Sequence, residues 1–139
     1  MAPRRTETHA RSRALQALYA WDMRGQQNLE RVSERVWDDL AVSADERRLA
    51  AVLIHVIAGR RAEIDRNLAD VTENWRMERL GAIERSVLRL AAAELSIGET
   101  PPRVVIQEAV TLAERFGSAQ SARFVNGVLD ALARRMGRM

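Results

Sequence analysis

Apolar residues recur along most of the chain at intervals of three and four positions, which is the spacing of one face of an α-helix. In the first such segment that face carries Ala10, Ala14, Ala17, Leu18 and Trp21. The predicted helices span about residues 8–24, 29–40, 43–71, 82–97, 101–116 and 118–136. The pattern therefore predicts an all-α fold, a compact bundle of six to seven helices.

Local signals mark several of the predicted helix ends. Residues 43–46, Ser-Ala-Asp-Glu, form a capping box at the start of the third helix. Gly98 closes the fourth helix, and Pro101 and Pro102 suit the first turn of the fifth, where proline is tolerated. The remaining expected boundaries are Asn28, a turn around Asn74 and Trp75, Gly117, and either Ser118 or Ser121.

Asn126-Gly127 is a dipeptide that usually turns a β-hairpin, yet it lies inside the last apolar repeat. The longer repeat predicts a helix through it. A glycine inside a helix costs roughly 1 kcal/mol relative to alanine, so a reason for the pair is needed. Two reasons remain open: close helix packing, which we prefer slightly, or the approach of a ligand to the backbone.

The charged residues are segregated along the chain. All 22 basic residues are arginine. Residues 1–24 carry a net charge of +3, residues 25–114 carry −4, and residues 115–139 carry +4. Replacement of lysine by arginine fits a GC-rich genome, but that explanation does not account for the segregation. Basic ends and an acidic middle fit a polyanion bound where the ends meet and a separate surface for another partner.

The composition excludes several kinds of site. There is no cysteine, so disulfides, thiolate chemistry and Cys-ligated zinc are excluded. His9 and His55 lie on different predicted helices without a partner at ligand spacing, so no metal site is expected. No segment has the length and apolarity of a signal peptide or a membrane span. We expect a single cytoplasmic domain over residues 1–139, with residues 1–8 flexible, without a cofactor and without a catalytic acid/base pair.

Three stretches in register resemble one family over nearly the whole chain. They are residues 13–19 (Arg-Ala-Leu-Gln-Ala-Leu-Tyr), residues 84–95 followed by 101–110, and residues 124–130 (Phe-Val-Asn-Gly-Val-Leu-Asp). In order and spacing they resemble the NusB family of bacterial transcription antitermination factors. Each motif alone is moderately specific, and the three together are strong.

The resemblance implies an all-α RNA-binding protein that catalyses no reaction. It implies binding to the boxA element of nascent ribosomal RNA transcripts together with NusE, a small-subunit ribosomal protein, and assembly with other Nus factors on RNA polymerase. Some members of the family self-associate, so a homodimer is a further possibility that this sequence does not decide.

The resemblance also implies which residues contact RNA, namely the arginine-rich N-terminus, the first helix and the start of the last helix. The implied RNA-binding residues are Arg4, Arg5, His9, Arg11, Arg13, Gln16, Tyr19, Arg123 and Phe124. Glu84 and Arg85 are weaker candidates for the surface that faces NusE.

The residues themselves leave other interpretations open. At about 100° per residue, Tyr19 falls on the side of its helix away from Trp21, where it stacks on a base or is covered by further helices. Phe124 lies at the edge of its apolar stripe and either packs or stacks. The N-terminal arginines are most simply a solvated charged end. Glu84 is most simply an acid in a first helical turn.

Two other functions compete with RNA-dependent antitermination. The chain is alternatively a helical protein-interaction module, or a homodimer, that binds no RNA. NusB-like domains also occur at the front of ribosomal RNA cytosine methyltransferases, but the chain carries no Gly-rich nucleotide-binding loop and no cysteine. RNA binding itself discriminates between the first alternative and antitermination.

Overall fold

The computed structural model describes residues 5–25, 27–72 and 79–139, and these ranges contain helices and no β-strand. The helices are α1 (Arg5–Met23), α2 (Leu29–Asp39), α3 (Ala44–Val71), α4 (Ala82–Ile97), α5 (Pro102–Phe116) and α6 (Ala119–Arg135). The prediction of an all-α bundle is confirmed. None of the helices in the described ranges combines the length and the hydropathy that a membrane-spanning segment needs.

The helix ends follow the local signals in the sequence. The Asn28 side chain accepts a hydrogen bond from the backbone N–H of Arg31 and caps α2. Ser43 caps α3 in the same way, and Ser118, rather than Ser121, caps α6. Gly98 has a φ of 79° and ends α4 in the left-handed conformation that glycine adopts without steric cost. These short-range interactions fix where each helix begins or stops.

The central element of the bundle is α4, which packs against α1, α3, α5 and α6. Its residues 86–95 are all buried, as expected for a helix that is covered on every side. Two charged residues within this run reach neighbouring helices: Arg89 binds Asp65 of α3, and Glu94 binds Arg11 of α1. The position of α4 therefore determines how α1 and α6 stand relative to each other.

The predicted core face of α1 is confirmed. The five residues assigned to it are all buried, namely Ala10, Ala14, Ala17, Leu18 and Trp21. The helix begins at Arg5, three residues before the predicted start. In α3, the apolar residue Leu49 is not part of the core, since its exposed fraction is 38%. The expected turn around residues 74–75 lies outside the described residues.

The long helix α3 is kinked directly after Gly59. Arg60 has a φ of −129° and a ψ of 23°, which is not helical, and two helical segments meet there. Glycine lacks the Cβ that restricts the backbone, so the helix is weakest at this point. After the kink, the second half of α3 contacts α4 where Asp65 accepts a hydrogen bond from Arg89.

Candidate nucleic-acid interface

The outer face of α1 carries a row of polar and aromatic side chains. Tyr19 is the aromatic member and has an exposed fraction of 39%. The predicted RNA-binding residues of this row are Arg5 and His9, which are exposed, and Arg13 and Gln16, which are half-buried. They share the side of α1 opposite Ala14 and Trp21. The expectation that Tyr19 lies off the buried stripe is confirmed.

Glu46 of α3 orders part of this row. Its carboxylate receives a hydrogen bond from Arg13 over 3.1 Å and lies 3.6 Å from Nδ1 of His9. Arg13 also donates to the side-chain oxygen of Gln16 over 3.2 Å. The amide NH₂ of Gln16 is a separate group that offers donors to a ligand. Glu46 thus acts across helices instead of completing the predicted capping box.

Arg11 does not belong to a solvated charged end, because the structure buries it. Its exposed fraction is 5%, and its guanidinium binds Glu94 of α4 and Glu108 of α5. Burial alone would lower the pKa of Arg11, but the hydrogen bonds and charges of the two carboxylates raise it above its ordinary value. The side chain predicted to contact RNA therefore joins three helices inside the bundle.

Phe124 lines a shallow pocket at the start of α6. It is half-buried and packs partly against the core, so it both packs and borders the surface. The pocket has a volume of 280 Å³. Its other lining residues are Arg79, Leu80, Gly81, Glu84, Ser118, Gln120 and Ser121. An aromatic ring beside hydroxyl and amide groups suits an unpaired base, which stacks and forms hydrogen bonds at once.

The first turn of α4 connects this pocket to α1. Ser121 lies three residues before Phe124, and its hydroxyl donates a hydrogen bond to Glu84 over 2.8 Å. The adjacent Arg85 donates a hydrogen bond over 2.8 Å to Asp22, which lies three residues after Tyr19. Glu84 therefore faces the Phe124 pocket. Arg85, predicted to face a partner, instead lies largely inside the bundle, with a side-chain exposed fraction of 15%.

The remaining predicted contacts differ in how accessible they are. Arg123 is exposed on α6 and forms no ion pair with the part of the chain that the structure describes. Arg4 lies outside the described residues. Among those described, no group of three or more acidic residues or histidines is arranged to hold a metal ion.

Asn126 and Gly127 lie inside α6, as the helical repeat predicts, but both are exposed. A Cβ atom added at Gly127 would have no atom within 4 Å. The preferred explanation, close helix packing, is therefore wrong, because the glycine faces open space and not another helix.

Comparisons with known proteins place the chain in one family. The sequence profile of the NusB family matches residues 8–134. The transcription antitermination protein NusB of Solibacter usitatus (strain Ellin6076) is 42% identical over 98% of this chain and 92% of its own length. The corresponding protein of Koribacter versatilis (strain Ellin345) is 41% identical over 94% of this chain and 90% of its own.

Solved structures agree in fold as well as sequence. The chain matches T. maritima NusB with a TM-score of 0.82 at 30% identity, covering 96% of this chain and 93% of the other. It matches a chain in the crystal structure of the antitermination factors NusB and NusE in complex with double-stranded RNA with a TM-score of 0.86 at 30% identity, covering 96% and 99%. The relatives are antitermination proteins, in agreement with the prediction that no reaction is catalysed. The chain belongs to the NusB family.

Proposed function

We propose that this protein is an RNA-binding antitermination factor that binds the boxA element of nascent ribosomal RNA transcripts together with NusE. RNA binds along the outer face of α1 and in the Phe124 pocket. The RNA-protein complex joins other Nus factors and RNA polymerase in the cytoplasm.

One observation carries this proposal: two aromatic rings reach the surface on different helices that a single turn of α4 connects. Tyr19 is exposed on α1, and Phe124 borders the pocket on α6. Arg85 binds Asp22 near Tyr19, and Glu84 accepts a hydrogen bond from Ser121 near Phe124. The same end of α4 therefore contacts residues close to both rings. Stacking on an aromatic ring is worth about 1–3 kcal/mol per base, so two rings held at fixed positions favour a single strand with unpaired bases.

Polar groups around the rings supply the other contacts that RNA needs. Arg5 and Arg123 provide positive charge for phosphates, whereas the charge of Arg13 is offset by Glu46. The amides of Gln16 and Gln120 and the hydroxyl groups of the pocket provide hydrogen bonds for base edges. We leave Arg11 out of the direct contacts, because two carboxylates already hold its guanidinium.

The pairing with NusE is supported by a structural relative that contains both factors and RNA. Of the two weaker candidates for this surface, Glu84 lies at the end of α4 beside the Phe124 pocket, whereas Arg85 is largely inside the bundle. A partner bound beside Glu84 would stand next to the proposed RNA path. In that arrangement NusE strengthens RNA binding by adding contacts to the same strand.

Photo-crosslinking of thiouridine-labelled boxA RNA tests the proposed path. Trypsin cleaves after arginine, so Tyr19 falls in the peptide of residues 14–24 and Phe124 in the peptide of residues 124–134. We expect RNA adducts on these two peptides. Adducts confined to peptides from α2 and α3 would contradict the assignment. A scrambled RNA of the same composition is the control for nonspecific contact.

A further inference from the structure

Gly127 is a feature of α6 that neither the fold nor the proposed site explains. It lies within a helix whose conformation alanine adopts more readily, and its φ is not in the left-handed region. A Cβ at this position would meet open space. Nothing within the described chain therefore requires glycine here. A molecule that approaches the helix backbone from outside would require it.

Gly127 lies on the solvent-facing side of α6, here called its outer line. The buried residues Val125, Val128, Leu129 and Leu132 define the inner side, and at about 100° per residue Gly127 points away from them. Arg123 precedes it by one helical turn on the same outer line. The Phe124 pocket lies on one side of this outer line.

A second groove lies on the other side of the outer line, between α5 and α6. It has a volume of 360 Å³. The residues that shape it include Arg103, Ile106, Gln107, Val110, Asn126 and Asp130. The two cavities thus flank α6 on opposite sides, and the outer line at Arg123 and Gly127 runs between them.

We propose that a single strand of RNA crosses α6 at Gly127 and continues from the Phe124 pocket into the α5–α6 groove. This inference rests on the proposed function and extends its RNA path to a second nucleotide-binding site. Without a Cβ at Gly127, the sugar-phosphate backbone comes close to the helix as it crosses. Arg123, one turn away, binds a phosphate at the crossing.

The chemistry of the groove fits a nucleotide. Arg103 and Arg123 are exposed and form no ion pair within the described ranges. The amides of Gln107 and Asn126 offer donors and acceptors to a base edge. The groove's carboxylate, Asp130, accepts a hydrogen bond from Arg134 over 3.0 Å, which offsets its charge. The surplus of positive charge favours a polyanion over a protein segment.

Two RNAs and three proteins test the inference. One RNA contains boxA alone, and the other carries an added single-stranded oligouridine at either end. The wild type, Gly127→Leu and Gly59→Leu are titrated with each. Gly59 is the matched control, because it is also an exposed helix glycine with open space around its Cβ, but on α3. Leucine favours helix more than glycine, but Gly59 directly precedes the kink of α3. Helical circular dichroism of both variants therefore establishes that each is folded before it is titrated.

We expect the extension to tighten binding to the wild type and to Gly59→Leu by about tenfold, the effect of roughly one stacked base. Gly127→Leu should lose this gain while its affinity for boxA alone stays within about twofold. An equal gain in Gly127→Leu would overturn the inference and leave the proposed function standing. Loss of NusE association with unchanged RNA binding would also overturn it, since the face would then belong to a protein. Failure of the wild type to bind either RNA would instead sink the proposed function.

Discussion

Arg11 of α1 and Glu94 of α4 form a buried ion pair across 83 positions of sequence, with both guanidinium edges engaged. Nε of Arg11 donates to one oxygen of Glu94 over 2.8 Å, and Nη2 donates to the other. Nη1 donates to Glu108 of α5 over 2.9 Å, so one side chain joins three helices. Geometry of this kind offsets the cost of burying charge. It also holds the outer face of α1 in a fixed orientation over α4.

Replacing Arg11 by methionine should destabilise the protein severely. The buried Glu94 and the part-buried Glu108 would lose their cation, and an uncompensated buried charge costs about 3–5 kcal/mol. The free energy of unfolding from urea titration measures the effect. Arg60→Met is the matched control, because Arg60 forms an exposed pair with Glu63, and exposed pairs contribute little to stability. Equal stability of the two variants would contradict the structural role of Arg11.

Replacing Tyr19 by alanine should weaken boxA binding without unfolding the protein. The ring is exposed, so its removal takes away little core packing but one stacking surface. We expect a loss of about fivefold to 150-fold, equivalent to about 1–3 kcal/mol. Fluorescence anisotropy measures it. Phe116→Ala is the control, since Phe116 is another exposed ring, with an exposed fraction of 37%, at the end of α5. If both variants bind like the wild type, or if Tyr19→Ala loses helical circular dichroism, the assignment of Tyr19 fails.

Replacing Glu84 by glutamine should strengthen RNA binding. The carboxylate lines the Phe124 pocket and accepts a hydrogen bond from Ser121, so it places negative charge where we expect RNA. The glutamine oxygen can still accept that hydrogen bond. Removal of one charge near a phosphate should raise affinity by about threefold at low salt and by less at high salt. Weaker binding by this variant, with its fold intact, would indicate that the carboxylate itself recognises a base.

Replacing Gly127 by alanine should stabilise the protein. Alanine is favoured over glycine in a helix by about 1 kcal/mol, and its methyl group would meet no other atom. We expect the Tm to rise by about 3–5 °C. Gly98→Ala is the contrasting variant, because Gly98 has a φ of 79° and an added Cβ would lie 3.2 Å from Nη1 of Arg138. Its Tm should fall. A lower Tm for Gly127→Ala would show that the glycine serves the fold.

Features that depend on neighbouring residues could be predicted from the sequence. Asn28, Ser43 and Gly98 act within one turn of their own helix ends, and all three end or begin helices as predicted. Periodicity placed Tyr19 on the side of its helix away from Trp21, but it left open whether further helices cover that side. The resemblance of the three motifs to the NusB family is confirmed by relatives that are about 40% identical.

Features that depend on distant partners could not be predicted in the same way. Arg11 sits among other arginines in the sequence, but its carboxylate partners are 83 and 97 positions away. The link between Glu84 and Ser121 spans 37 positions. Such contacts arise from packing around α4, and periodicity does not encode which charged residue of one helix meets which of another.

A titration of fluorescent boxA RNA and a scrambled RNA, with and without purified NusE, at two salt concentrations tests the central claim most directly. We expect tighter binding to boxA than to the scrambled RNA, a further gain with NusE, and affinity that falls with salt by about 0.7 log unit per log unit for each phosphate contacted. Equal, weak binding to both RNAs that NusE does not change would contradict the antitermination role and favour a helical protein-interaction module.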